Sequence, residues 1–236
     1  MVPLMVLIFE AQGLPREHLL HLAVGTSMAT ILLTSLSSIR AHQQRGAIRW
    51  DITRGMTPGI VVGGLAGAAL AAAIPTSVLA LAFTCIIFGA ATNMLLNRQP
   101  HPSRQLPGPL GLSVAGAAIG GVSSIAAMGG AFATVPYMLW CNIPMVSAVG
   151  TAATLGFPIA VAGTAGFVIN GLRDSGLPPG SLGYVYLPAF AGVVLTSVLL
   201  APAGAAAAHR LPTQTLKRIF AVLLYVMAGR MLYKLW

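Results

Sequence analysis

The sequence predicts an all-α, polytopic membrane helix bundle, and three observations carry that prediction. Hydrophobic residues make up 56% of the chain and charged residues only 7%, which cannot cover a water-soluble surface. From Gln105 through Leu172 the chain runs 68 residues without a charge. That length holds roughly three crossings at about 20 residues each. Finally, short motifs recur in the same order in the two halves of the chain.

In order along the chain, a partial apolar segment at 1–9 is followed by spans near 18–39, 56–74 and 77–96. These are bounded by the Arg-rich stretch from Arg40 to Arg54 and by the Pro75 turn. A second group covers 109–140, 147–169, 182–202 and 215–235. Residues 1–98 thus read as a first membrane repeat, 99–108 as a cytoplasmic linker and 109–236 as a second repeat. No basic n-region or A-x-A site marks a cleaved signal.

Charge sets the orientation. Arg40, Arg45, Arg49, Arg54, Arg98 and Arg104 fall on one side, which is therefore cytoplasmic. Alternating crossings then put Arg173, Arg230 and Lys234 inside, against Arg16, Arg210, Lys217 and Arg218 outside. The outer group is either solvated helix-end charge or an entrance that attracts anions. The net charge of +9 forms no basic face or aromatic-basic motif, so nucleic acid is not a predicted partner.

Ala23-Val24-Gly25-Thr26 returns as Ala148-Val149-Gly150-Thr151, and Val2-Pro3-Leu4-Met5 as Val135-Pro136-Tyr137-Met138. Pro75-Thr76, Phe83 and Met94-Leu95 return at one common offset as Pro212-Thr213, Phe220 and Met231-Leu232. Four crossings per unit is an even number, which predicts two four-helix repeats in parallel orientation. Residues 109–134 precede Val135 whereas only Met1 precedes Val2. The first repeat is therefore predicted to be missing part of its leading helix, about 25 residues.

The segment from Pro109 to Trp140 would reach about 48 Å as one straight helix, against a hydrocarbon core of about 30 Å. Gly129-Gly130 and Pro136 supply the backbone freedom and the missing N–H of an interruption inside the membrane, with a half-helix beginning near Ala131. Its positive end would hold an anion without a buried Lys or Arg. A kinked or tilted helix, or a tight glycine contact, is the alternative.

In the repeated motifs, glycine allows close backbone approach and threonine supplies a hydroxyl. Gly25, Thr26, Ser27, Gly150 and Thr151 join Gly129, Gly130, Ala131 and Pro136 as the predicted solute-binding residues. Ser27, Thr30, Thr34 and Ser37 continue at helical spacing, as a solute-facing stripe or as hydroxyls bonded to their own preceding carbonyls. His21 is either a proton-coupling residue or an interfacial histidine with a satisfied hydrogen bond.

Glu10, Glu17, Asp51 and Asp174 all lie at segment ends or in loops, which disfavours a cation carrier. No paired carboxylates, metal-ligand cluster or Ser/His/Asp arrangement occurs, so no enzyme, metal or cofactor is predicted. Cys85 and Cys141 form no CxxC pair and sit at non-equivalent repeat positions, against a thiol relay.

The run Gly129-Gly130-Ala131-Phe132-Ala133-Thr134-Val135-Pro136, followed by Ser147-Ala148-Val149-Gly150-Thr151-Ala152, resembles the TauE/SafE family of sulfite-exporter-like permeases. His21-Leu22-Ala23-Val24-Gly25-Thr26-Ser27 is similar to the family's other copy, and Arg210-Leu211-Pro212 and Arg230-Met231-Leu232 to its C-terminal end. The resemblance implies a permease for a small anion, such as sulfite, a sulfonate or sulfoacetate. It implies multi-pass insertion in the bacterial inner membrane, and leaves oligomerisation open. Two departures bear on the anion site: the first glycine-rich break is absent, and Ala131 stands where a third glycine is usual. The rival from another class is a non-transporting membrane scaffold or assembly factor.

Overall fold

A computed structural model describes residues 1–15, 17–96, 103–127, 129–174, 176–210, 215, 218–219, 221–226 and 229–230. The linker is described from residue 103 onward, and much of the span expected at 215–235 lies outside the described residues.

The helices are α1 (Val2–Ala11), α2 (Leu19–Gln44), α3 (Trp50–Ala73), α4 (Thr76–Leu96), α5 (Pro109–Ala126), α6 (Ala131–Trp140), α7 (Met145–Gly171) and α8 (Leu187–Arg210). A two-strand hairpin, β1 (Ser181–Leu182) and β2 (Val185–Tyr186), precedes α8. Among the described residues α2, α3, α4, α5 and α7 are long and apolar enough to cross a membrane. Local signals set their ends. Pro109 opens α5, where a missing N–H costs nothing. Before Pro75, Ile74 turns extended at φ −93° and ψ 147°, the conformation a following proline imposes, and ends α3.

Direction follows from the contacts. Gly59, Gly63 and Gly67 of α3 abut the backbones of Ser113, Ala117 and Gly121, while Gly116 and Gly120 of α5 abut Met56 and Ile60. The four-residue steps rise together, so α3 and α5 are parallel and packed backbone to backbone through small residues. Gly64 meets Ala162 and Gly166 meets Ala68, so α7 is parallel to α3. Gly25 meets Phe167 and Gly163 meets Met28, so α2 is antiparallel to α7.

The expected parallel orientation of the two units is thereby corrected. The segments carrying Ala-Val-Gly-Thr run in opposite directions, so the units they mark are inverted relative to one another. The cause lies in 109–140, which is a hairpin and not a single broken crossing. From Ala131 the chain turns back toward the side where α5 began. The Trp140 carbonyl accepts the N–H groups of Ser103 (3.2 Å) and Arg104 (3.1 Å), and Trp140 Nε1 donates to Ser103 Oγ at 2.7 Å. The Arg104 guanidinium stacks 4.5 Å from the Trp140 ring, a cation–π contact at the negative end of α6.

With Arg40, Arg45, Arg49 and Arg54 marking the inner face, Arg173 moves from the expected inner side to the outer, beside the start of α2. Arg210, at the far end of α8, moves inward.

The core has two layers. An outer cluster gathers Phe9, Leu20, Leu22, Phe83 and Phe167, and an inner one gathers Met28, Ile52, Met56, Met138 and Leu155; Ala127 packs against both. Outward, Val62, Val114 and Leu195 are 67%, 66% and 65% exposed. Such a surface suits hydrocarbon and not water.

Candidate functional site at the broken helix

The hairpin tip sits at mid-depth. Gly129 lies beside Ile31, midway along α2, and Gly130 and the Gly129 carbonyl lie against Ile159 and Gly156, midway along α7. Two left-handed residues make the reversal, Ala127 (φ 46°) and Gly130 (φ 73°). Gly130 meets the need for positive φ without the steric cost that Ala127 bears. The half-helix begins at Ala131, where the sequence placed it. Pro136 is not part of the break but lies within α6, where it leaves the Phe132 carbonyl without its helical donor.

At the start of α6 the N–H groups of Ala133 and Thr134 bond the Gly130 carbonyl at 3.1 and 2.8 Å. Those of Ala131 and Phe132 have no partner available within the helix. Ser123 and Ser124 stand in the last turn of α5, the Ser124 hydroxyl facing Gly64 of α3 and Gly163 of α7, and Thr134 stands in the first turn of α6. All three are fully buried, and among the described residues their hydroxyls have no hydrogen-bond partner. A buried hydroxyl left unpaired costs about 1–3 kcal/mol; Thr164 of α7 and Ser181 of β1 are unpartnered too, but these three lie in the turns on either side of the break. Sequence reasoning missed them. The available signal was a Ser-Ser pair five residues before the glycine break and a threonine one turn after it.

The repeated Gly-Thr pairs are not at the tip. Gly25 presses on the Tyr184 carbonyl, and Thr26 Oγ1 accepts the Tyr186 N–H at 3.0 Å. At the other end of the bundle Gly150 presses on Ala47, and Thr151 Oγ1 accepts the Arg49 N–H at 3.0 Å. Ser27 Oγ donates to Met5 Sδ at 3.5 Å. Thr30, Thr34 and Ser37 bond carbonyls three or four residues back, which is the packing alternative for that stripe.

His21 lies in the outer third of α2. Its Nε2 pairs with the Ala71 carbonyl at 3.0 Å and its Nδ1 approaches Thr76 Oγ1 at 3.4 Å, so the ring ties α2 to the end of α3. Nε2–H donates to the Ala71 carbonyl, while the Thr76 hydroxyl near Nδ1 donates to the Glu17 carbonyl. Beside it, His18 Nδ1 is 3.2 Å from Asp174 Oδ2, which also accepts the Tyr184 hydroxyl at 3.0 Å.

Burial works to raise the Asp174 pKa. The Gly176 N–H, the Tyr184 hydroxyl and the charges of His18 and His21 outweigh it and hold the carboxyl below its ordinary value. Burial first, then the bond to Asp174 and its charge, push Tyr184 up to about 12. A depressed folded-state carboxyl stabilises the fold above its unfolded pKa, and loses that contribution as pH falls through the folded one. Asp174→Asn is therefore expected to lower the thermal midpoint at neutral pH and to flatten its decline below about pH 4. Melting curves of the two proteins in detergent from pH 3 to 7 check this.

Among the described residues no three His, Cys, Asp or Glu side chains come together as a metal site.

Comparison with known proteins agrees with this architecture. The family model described as "Sulfite exporter TauE/SafE" matches residues 1–231. A "Probable membrane transporter protein" of Haemophilus influenzae is 32% identical over 234 residues, covering 99% of this chain and 89% of the relative. The "Probable membrane transporter protein YdhB" of Bacillus subtilis is 29% identical over 168 residues, 66% of each chain. No solved structure matches. A hairpin-broken, multi-pass helix bundle that matches this family model almost end to end belongs to the TauE/SafE sulfite-exporter family of membrane transporters.

Proposed function

We propose that this transporter moves a small anion, a sulfite, sulfonate or similar organic anion, through a site at the α5–α6 break. The observation that carries the reading is the set of buried, unpartnered hydroxyls of Ser123, Ser124 and Thr134 around the N-terminal end of α6. Hydroxyls and backbone N–H groups donate hydrogen bonds, and the helix dipole adds partial positive charge, so the arrangement suits an anion without a formal countercharge. Glu10, Glu17, Asp51 and Asp174 lie at element ends or in loops, and no acidic side chain accompanies the break. Membership of a family described as sulfite exporters supports a sulfur oxyanion as the first solute to try.

Gly129, Gly130 and Ala131 shape this site. Gly25, Thr26, Gly150 and Thr151 lie about one and a half to two and a half turns away along their helices, toward the outer and inner faces, and flank it. Residues 1–98 and 109–236 form the two membrane repeats, the second carrying the break and the first packing against it.

Flux into proteoliposomes tests the reading, using sulfite, taurine, sulfoacetate, acetate and a sodium control. At least one sulfur oxyanion is expected to enter on the order of tenfold faster than into protein-free vesicles, a barrier lowered by about 1.4 kcal/mol. Equal rates for every anion with and without protein would overturn the proposal and favour the scaffold alternative.

A further inference from the structure

The two Gly-Thr pairs make the same contacts at opposite ends of the bundle. At the outer end, α2 offers Gly25 to the Tyr184 carbonyl and the Thr26 hydroxyl to the N–H of Tyr186, the residue before α8. At the inner end, α7 offers Gly150, whose added Cβ would lie 2.6 Å from the Ala47 carbonyl, and the Thr151 hydroxyl to the N–H of Arg49, the residue before α3. Each loop turns on a glycine of positive φ, Gly183 at 53° and Gly46 at 62°.

One offset of 137 carries Gly46, Ala47 and Arg49 onto Gly183, Tyr184 and Tyr186, and α3 onto α8, each 24 residues long. Pro75 and Pro212 match at the same offset. In each case a helix of one half holds a loop of the other. Because α2 and α7 are antiparallel, the two contacts fall near opposite membrane faces with the α5–α6 break between them.

We propose that these pairs are the two clamps of an alternating-access cycle. Thr26 with Tyr186 seals the route on the outer face, Thr151 with Arg49 seals it on the inner face, and they open one at a time. Both clamps are closed in this structure. Their threonines are fully buried, and so are Ser123, Ser124 and Thr134 at the break, as in a state open to neither side. The outer clamp is reinforced by His18 and Tyr184 on Asp174, and by the His21 ring 5.2 Å from that of Tyr184. The inner one is reinforced by Arg49 bonded twice to Asp51, at 2.9 and 2.6 Å. Inverted repeats supply such equivalent, oppositely facing contacts from one sequence motif. The proposal rests on family membership and not on the identity of the solute: its labelling readout needs none, and its crosslinking readout needs only a solute that flux has identified.

The test replaces Cys85 and Cys141 by alanine and places a reporter at Gly129→Cys, where an added Cβ meets only Ile31 Cγ2 at 3.9 Å. An impermeant maleimide is applied to either face in vesicles of opposite orientation. Thr26→Val is expected to raise labelling from the outer face and lower it from the inner, on the order of tenfold, and Thr151→Val to do the reverse. Thr26→Ser and Thr151→Ser, which keep the acceptor oxygen, are expected to restore the original pattern. A shift toward the same face in both valine variants, no shift in either, or a rise from one face without a fall from the other would overturn the proposal, since local loosening raises labelling at its own face alone. A second variant, Thr26→Cys with Tyr186→Cys, is expected to lose transport when crosslinked and regain it on reduction. Transport that continues through the crosslinked protein would equally overturn it.

Discussion

Gly63→Ala is expected to destabilise the bundle by about 3 kcal/mol, near the upper end for overpacking, and to lower its thermal midpoint in detergent by several degrees. The added Cβ would meet the Ala117 carbonyl, with its carbon at 2.6 Å and its Cα at 2.7 Å. These are backbone atoms, so no rotamer change relieves the clash. The helices must separate along the whole seam of Gly59, Gly63, Gly67, Gly116 and Gly120. Since α3 and α5 position the last turn that carries Ser123 and Ser124, transport should fall with stability. Gly89→Ala is the control: nothing lies within 4 Å of its added Cβ, and the gain in helix propensity is up to about 1 kcal/mol. A Gly63→Ala protein that melts with the Gly89→Ala control would show that the seam is not close-packed.

Thr134→Val should do the opposite to stability. Valine keeps the shape of threonine and removes a hydroxyl that is fully buried and unpartnered. Replacing an unsatisfied polar group by an apolar one of the same shape is neutral or stabilising, here by up to about 1–3 kcal/mol. If that hydroxyl holds the solute, transport should fall on the order of tenfold or more while the melting temperature holds or rises, the trade-off typical of a functional site. Ser123→Ala and Ser124→Ala should behave alike. Unchanged flux in all three variants would remove the hydroxyls from the site.

Much of this was legible in sequence. Apolar run length located the described spans, and the Gly129-Gly130 pair located the break and the start of α6, because few residues other than glycine tolerate the left-handed turn at Gly130. The hairpin was not legible. Hydropathy measures how long an apolar segment is, not which way it runs, and 109–140 holds a crossing and its return as readily as one long broken helix.

Charge could not decide either. Arg40, Arg45, Arg49, Arg54 and Arg104 lie on the inner side in the parallel arrangement and in the inverted one alike, so the strongest charge signal does not separate them. The inverted arrangement differs in drawing Arg210 inward and Arg173 outward.

The Gly-Thr motifs were visible but their partners were not. Gly46-Ala47-Ile48-Arg49 and Gly183-Tyr184-Val185-Tyr186 share only their glycine, and the donors are backbone N–H groups that carry no side-chain signature. The unpartnered hydroxyls were invisible for a related reason. Serine and threonine in membrane helices usually bond their own preceding carbonyls, and only coordinates separate those that do from those that do not.

The most direct test of the anion site is a melting measurement on the purified protein with rising concentrations of the anion that flux identifies. Ligand at about a hundred times its dissociation constant should stabilise the wild-type protein by about 2.7 kcal/mol. The same concentration should stabilise Thr134→Val, already as stable or more so without ligand, by only about 1.4 kcal/mol if its affinity falls tenfold, and by less if it falls further. Equal stabilisation of both proteins by the anion would contradict a site at the α5–α6 break.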